Sequence, residues 1–223
     1  MAAITNLGTL KTAVSQWMNR DDLSSVIPQF IQFAEKQIKQ KLRIREMIKY
    51  TSVTISDGTA VPASGWPTDF VEVIQAQLGN TTRDLLQYLS PAALLAFDDG
   101  TSGGQGTPKY FSILQNSSGA EEFTIRPAAD TTTVSGNGTI ELTYYAFSDL
   151  SSDSDTNIIL DKHPEIYLYH ALSNSSSYLV DDQRVALWTS LAQSAMTELL
   201  AESAATFYAG RRNVRFSQPP TAG

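Results

Sequence analysis

The sequence lacks several residue types on which catalysis and metal binding most often depend. Its 223 residues include no cysteine and only two histidines, His163 and His170. Disulfides, thiolate metal sites and cysteine nucleophiles are therefore excluded, and a reducing environment is favoured. No apolar run reaches the roughly 20 residues of a transmembrane helix. The opening residues MAAITNLGTLK have neither the basic nor the apolar region of a secretory signal.

The few patterns that imitate metal or catalytic sites each fail on spacing. Seven helical residues would separate the two histidines by about 10 Å along a helix axis, so they are poorly placed to share a zinc ion with bonds of about 2 Å. The run 153–157 resembles the start of a calcium loop, but Ile158 and Pro164 occupy the positions of its glycine and its glutamate. The glycine-rich loop 103–106 is not followed by the Lys-Ser/Thr of a phosphate cradle. We therefore expect no enzyme, no metal and no cofactor.

Charge is scarce and unevenly placed. Charged residues make up 17% of the chain, against 42% hydrophobic residues, a composition that supports a packed core. The formal net charge of −7 combines +4 over residues 1–50, −14 over 51–210 and +3 over 211–223. Tight nucleic-acid binding needs clustered Lys and Arg. The acidic body predicts instead a surface past which DNA moves without binding, although any acidic surface also promotes solubility.

Apolar stripes at helical spacing mark the N-terminal region. Leu23, Ile27, Phe30, Ala34, Ile38 and Leu42 recur every three or four residues, which predicts one amphipathic helix. Pro28 is tolerated only in a first turn. The helix should therefore begin between Asp22 and Ile27 and run to about Arg45. A smaller stripe upstream, which includes Trp17, predicts a short first helix.

The middle of the chain changes to strand periodicity. Residues 50–55, 70–78, 109–114, 122–126 and 139–147 alternate or are rich in β-branched and aromatic side chains. Residues 81–86 follow a Gly-Asn turn and are predicted to form a hairpin with 70–78. Ser90 and Pro91 predict an N-cap and first position for a short helix over 92–97. The pattern indicates one antiparallel sheet of five or six strands.

Helical periodicity returns in the last third. Two helices are predicted over 164–180 and 183–207, with Leu168, Leu172, Leu179 and Trp188 among the apolar positions. The serine-rich run 173–177 is unusual inside a helix, and its small side chains would permit close approach of a neighbouring helix. The predicted fold is α+β. Residues 1–47 and 151–210 form a helical bundle, 48–150 an inserted antiparallel β-domain, and 211–223 an extended arm. The predicted packing residues of the bundle are Trp17, Phe30, Ala34, Ile38, Leu42, Leu168, Leu172, Leu179 and Trp188.

An ordered series of short motifs resembles a known family. Residues 14–47 contain a Trp, an Arg-x-Asp break, Phe-Ile, Ala-Glu and a closing Leu-Arg. Residues 157–188 contain Pro-x-x-Tyr-Leu-Tyr-x-Ala-Leu, followed by Tyr-Leu and Asp-Asp. GWPTDFVEV (65–73) and GTPKYFSI (106–113) fit the same pattern. In this order they resemble the head-to-tail adaptor proteins of short-tailed bacteriophages, the tail-tubular-protein-A-like connector family.

The resemblance implies a structural role in the virion. Such proteins form a ring, usually a dodecamer, that joins the portal to the tail nozzle, and genomic DNA passes through its bore. The implied partners are other copies of the chain, the portal, the nozzle, tail-fibre proteins and passing double-stranded DNA, with no membrane. Synthesis in the bacterial cytoplasm is implied as well. The alternative is a tail-fibre or other attachment module that does not bind the portal.

The C-terminal arm is the predicted portal-binding element. In the family this arm reaches onto the portal. Arg211, Arg212 and Arg215 supply charge, and Val214 and Phe216 supply two apolar anchors. The alternative is a frayed terminus that binds nothing.

Overall fold

The computed structural model describes residues 3–56, 66–80, 83–96, 104–115, 117, 121–130, 136–179 and 182–211. Its α-helices are α1 (Leu7–Met18), α2 (Ile27–Lys41), α3 (Pro91–Leu95), α4 (Ile158–Lys162), α5 (Pro164–Tyr178) and α6 (Asp182–Arg211). Its strands are β1 (Ile48–Thr54), β2 (Phe70–Asn80), β3 (Gln87–Tyr88), β4 (Gln105–Gly106), β5 (Tyr110–Gln115), β6 (Glu121–Arg126), β7 (Ala128–Ala129) and β8 (Gly136–Ala146).

The elements form two compact units. The helical unit comprises Met1–Met47 and Phe147–Gly223, and the β unit comprises Ile48–Ala146. Helices therefore come from both ends of the chain, and the strands lie in one continuous insertion between them. This mixture of helices and largely antiparallel strands confirms the predicted α+β class.

Local capping explains where the N-terminal helices begin and end. Asn6 accepts a hydrogen bond from the Thr9 amide (2.9 Å), and Thr9 Oγ1 accepts one from the Asn6 amide (3.0 Å), which completes a capping box for α1. The prediction for α2 was correct at its start, where Pro28 occupies the first turn. It was wrong at its end, because α2 stops at Lys41. Arg43 donates to the carbonyl oxygens of Lys39 (2.8 Å) and Leu42 (2.7 Å) and so caps the last turn.

Helix α5 lies at the centre of the helical unit, where it packs against α1, α2, α4 and α6. Pro164 begins this helix as predicted. The serine-rich run faces both long neighbours. Ser173 Oγ lies 2.8 Å from Thr189 Oγ1 on α6, and Asn174 donates to the Phe30 carbonyl on α2 (3.2 Å). The sequence did not predict α4, which Asn157 caps by accepting from the Leu160 amide (3.0 Å).

The strands are arranged differently from the single sheet that the sequence predicted. Strand β8 is central in a three-stranded antiparallel sheet of order β1-β8-β2, in which Ile48 pairs with Tyr145. A second sheet has the order β3-β5-β6, and β4 pairs with β7. The β3–β5 and β4–β7 pairs are parallel. The predicted hairpin between 70–78 and 81–86 is present in part. An antiparallel bridge joins Gln77 to Leu85. Beside it, the Leu78 amide donates to the Asp84 carbonyl and the Leu86 amide to the Ala76 carbonyl (both 2.9 Å). The long pairing of β2 is with β8.

The β unit has its own hydrophobic core. Phe123 stacks on Phe111 with ring centroids 5.0 Å apart, and Trp66 packs against Phe123 at 5.6 Å. Both phenylalanines are buried, and they belong to a cluster that also contains Val53, Ile55, Ala76, Leu78, Leu86, Ile125, Ala129, Ile140, Leu142, Tyr144 and Ala146. Within the described ranges, no helix has the length and apolar character that a membrane span requires.

Candidate interaction surfaces

The acidic loop 148–157 is fastened to helix α1. The amides of Leu7 and Gly8 donate to the carbonyl oxygens of Asp155 and Asp153 (both 2.9 Å), and Lys11 Nζ lies 2.5 Å from an Asp153 carboxylate oxygen. The Asp155 side chain accepts from the amides of Ser152 (2.7 Å) and Ser151 (3.0 Å), and these bonds hold the pKa of Asp155 below its ordinary value. The loop is therefore organised by hydrogen bonds within itself and to α1. Among the described residues, no three His, Asp or Glu side chains are grouped as metal ligands would be.

A buried carboxylate fastens the same loop to helix α2. Glu35 is 7% exposed and accepts hydrogen bonds from the Leu150 amide (2.9 Å) and the Tyr167 hydroxyl (3.3 Å). Asn157 in turn donates to the Tyr167 hydroxyl (2.7 Å) and to the Ser148 carbonyl (3.0 Å). Burial raises the pKa of Glu35 above its ordinary value of 4.5, against the effect of these donors. One side chain thus joins α2, the loop and α5.

Replacing Glu35 should separate its role as an acceptor from its charge. Glu35→Ala leaves the Leu150 amide and Tyr167 hydroxyl without their acceptor, so we expect a loss of about 2 kcal/mol in unfolding free energy at pH 7. Glu35→Gln keeps a carbonyl oxygen there and removes a buried charge, so its stability should match or exceed that of the wild type. Urea unfolding of both variants measures this.

The raised pKa of Glu35 also predicts how the stability of the protein changes with pH. Because the folded-state pKa of Glu35 is raised, the folded protein holds this proton more tightly, and the wild type loses stability as the pH rises from about 4.5 through the folded pKa. The advantage of Glu35→Gln should therefore grow over that range. Glu198→Gln, at an exposed carboxylate on α6, is the control for removing a carboxylate that does not bind the loop. Equal destabilisation by Glu35→Gln and Glu35→Ala would contradict this assignment.

A cavity of about 440 Å³ lies beside Glu35, between α2 and the loop. Lys11, Lys36 and Lys39 line it together with the loop residues Asp149 and Leu150. Lys39 pairs with Asp149 at 3.0 Å, and Lys11 pairs with Asp153, so two of the three ammonium groups are engaged in fastening the loop. This arrangement joins segments of the chain that are far apart in sequence.

Three aromatic rings cluster where α1, α5 and α6 meet. Trp17 and Trp188 lie edge to face with centroids 5.6 Å apart, and Tyr169 stacks on Trp188 at 6.1 Å. All three side chains are half-buried. Sequence reasoning named both tryptophans but missed Tyr169, whose spacing from Leu168 and Leu172 places it off the main stripe of α5.

The predicted packing residues of the bundle lie on the helices of the helical unit, except Leu42 and Leu179, which directly follow α2 and α5. Six are buried, namely Phe30, Ala34, Ile38, Leu42, Leu168 and Leu172. Trp17, Leu179 and Trp188 are half-buried. His170 is buried, with its Nδ1 2.8 Å from the Ile166 carbonyl oxygen, and burial lowers its pKa. It is thus a core residue of α5.

An open apolar groove lies along strand β2 in the β unit. Its volume is about 690 Å³, and its lining includes Val73, Ile74, Leu85, Tyr88, Ile113 and the carboxylate residues Glu72 and Glu121. Ile74, Leu85 and Tyr88 are large side chains that are 45%, 64% and 55% exposed. Sequence reasoning missed this groove, although the adjacent pair Val73-Ile74 breaks the alternation of an ordinary strand and could have signalled it.

Comparison with known proteins identifies the family. The sequence model of the SU10 adaptor protein matches residues 5–215. The chain belongs to the SU10 adaptor protein family. No curated protein matches it.

As a member of this family, the adaptor is a structural phage protein. It belongs to the virion and binds other virion proteins. The family is one of structural adaptors, which implies a non-enzymatic protein. The resemblance of the motifs to phage adaptor proteins is thus confirmed. The more specific tail-tubular-protein-A-like assignment stays a prediction.

The predicted portal-binding residues of the adaptor begin at the last described residue, Arg211. Arg211 is the last residue of α6, and its side chain lies outside the described residues. Arg212, Val214, Arg215 and Phe216 also lie outside them. Their role stays a prediction.

Proposed function

We propose that the adaptor forms a ring, a dodecamer by its resemblance to connector proteins, that joins the portal to the tail nozzle and lets genomic DNA pass. The match to the SU10 adaptor family over residues 5–215 carries this proposal. Its partners are then other copies of itself, the portal, the nozzle and tail-fibre proteins. The C-terminal arm, residues 211–223, binds the portal or an adjacent copy.

The exposed apolar side chains of the helical unit support self-association. Phe33, Tyr178 and Leu187 are 50%, 58% and 52% exposed. Apolar side chains mark a protein–protein interface where they form a contiguous patch. A ring gives every copy the same neighbours, so one such contact would repeat at each interface.

The test of the ring is to measure the mass of particles formed by the adaptor alone and after incubation with portal rings. We expect particles near twelve times the 24.3 kDa chain mass, either free or added to the portal, with a central opening in negative-stain images. Portal and nozzle proteins, each immobilised separately, should both retain the adaptor. Trimers that do not bind the portal would contradict the proposal and favour a tail-fibre attachment module. Monomers that do not bind the portal would contradict both the ring and the attachment module.

Double-stranded DNA should bind the adaptor only weakly and without sequence preference. Residues 51–210 carry a formal charge of −14, which repels phosphate groups and eases passage. Fluorescence anisotropy with a labelled duplex at physiological salt should give a dissociation constant above the micromolar range. Any binding at low salt should weaken when Arg211, Arg212 and Arg215 are replaced by alanine. Nanomolar binding at physiological salt would contradict this prediction.

A further inference from the structure

We propose that the groove along β2 receives residues 212–216 from the C-terminal arm of a second copy of the chain. This inference rests on the proposed self-assembly and adds the receptor surface that the arm occupies. The groove, defined by Ile74, Leu85, Tyr88, Phe111 and Ile113, is large enough at about 690 Å³ for two apolar side chains.

Irregular pairing of β2 turns its apolar side chains outward. Val73 pairs with Tyr144 and Gln75 with Thr143, so Ile74 is an extra residue without a partner on β8. Such a bulge bends a strand and redirects its side chains. Ile74 is consequently 45% exposed at the edge of its sheet, opposite Leu85 and Tyr88.

The arm carries side chains that match this surface. Val214 and Phe216 are two residues apart, so in an extended conformation both point to the same side. Arg212 then points to the same side as these two anchors, whereas Asn213 and Arg215 point away from it. Pro219 and Pro220 follow and, without an N–H donor, would end strand-like hydrogen bonding there.

The opposite charges of the arm and the groove also favour their binding to each other. The groove lining includes Glu72 and Glu121 and, among the described residues, no Lys or Arg. Over its whole sequence the β unit contains four Lys and Arg and ten Asp and Glu, a formal charge of −6. Residues 211–223 carry +3. Arginine forms forked hydrogen bonds with carboxylates, which adds direction to the attraction.

The chain after α6 can extend well away from the helix. Phe216 is five positions after Arg211, and an extended chain spans at most about 3.3–3.6 Å per residue. Phe216 can therefore lie about 17 Å beyond the end of α6. In a ring each arm would enter the next copy, and a weak contact repeated around the ring would be strengthened by effective concentration.

The absence of cysteine from the chain permits a direct test. The full-length variants Ile74→Cys and Phe216→Cys are prepared with different affinity tags, mixed, assembled with portal rings and treated with a mild thiol oxidant. We expect a disulfide-linked dimer that contains both tags. A second pair, Gln75→Cys and Ser217→Cys, keeps both apolar anchors in place and should also cross-link.

The matched control places the acceptor cysteine outside the groove. Leu95 is 64% exposed in the same unit but is not part of the groove lining. Leu95→Cys should give at least tenfold less product with Phe216→Cys than Ile74→Cys gives. The double variant Val214→Asp, Phe216→Asp carried on the Ser217→Cys chain should lower the yield with Gln75→Cys at least tenfold.

Three outcomes would overturn the inference. Equal yields at Ile74 and Leu95 would show non-specific collision. Rings could also assemble and retain the portal while neither cysteine pair forms a disulfide. That result would show that the arm binds the portal instead of the groove, and it would leave the proposed function intact. Failure to assemble with or on the portal would remove the proposed function together with this inference.

Discussion

Phe123→Ala should lower the unfolding free energy of the β unit by about 3–5 kcal/mol, the largest change we expect from one substitution. Phe123 is 2% exposed and packs against both Phe111 and Trp66. Its removal leaves a cavity among side chains that belong to two different sheets. Because most domains are stable by only about 5–15 kcal/mol, a large part of the stability of this unit would be lost.

The three tryptophans allow this change to be assigned to one unit. Trp66 lies in the β unit, whereas Trp17 and Trp188 lie in the helical unit. Urea unfolding is therefore followed by Trp66 fluorescence in a Trp17→Phe, Trp188→Phe background. Phe33→Ala removes a half-exposed ring from the helical unit and serves as the control. A loss for Phe123→Ala no greater than that for Phe33→Ala would show that the stacked rings are not a core.

Ser175→Leu is expected to cost about 3 kcal/mol in the helical unit, at the upper end of the range for overpacked cores. Ser175 is 1% exposed on the central helix α5, and its hydroxyl donates only to the Leu172 carbonyl of the same helix (2.9 Å). The space at this position is set by the close approach of neighbouring helices, so a larger side chain must displace one of them.

Two companion substitutions distinguish size from polarity at this helix. Ser175→Ala removes the hydroxyl without adding volume and should change stability by less than about 1 kcal/mol. Ser177→Leu adds the same volume at an exposed position and should be nearly neutral. Thermal and urea unfolding of the three variants measure the effect. If Ser175→Leu were as stable as Ser177→Leu, close packing around α5 would be disproved.

Helices α2 and α5 could be predicted from the sequence because their determinants are local. The stripe from Ile27 to Ile38 and the prolines at 28 and 164 lie within the helices that they specify. The end of α2 could not be predicted, since it depends on the direction taken by the Arg43 side chain. The pairing of β2 with β8 was missed for a different reason. It joins residues 56 to 76 positions apart, from Asn80–Gly136 to Phe70–Ala146, whereas local periodicity suggests only the nearby residues 81–86 as a partner.

The interaction surfaces were predicted less well than the fold. Glu35 was noted only as part of a family motif, because its partners Leu150 and Tyr167 lie 115 and 132 residues away. The groove depends on a bulge at Ile74 in β2 and on side chains from β3, β5, β6 and the segment that contains Leu85. Periodicity reveals which residues are apolar, but not which of them a second chain would have to cover.

The register of β1 and β8 brings the two ends of the β unit close together. Ile48 and Tyr145 face each other in an antiparallel pair, so the two ends of the insertion lie about 5 Å apart. A link of a few residues could close that gap in either direction. A gene encoding such a chain could therefore gain, lose or exchange its β unit in one recombination step, without rebuilding the register of the helices that carry it.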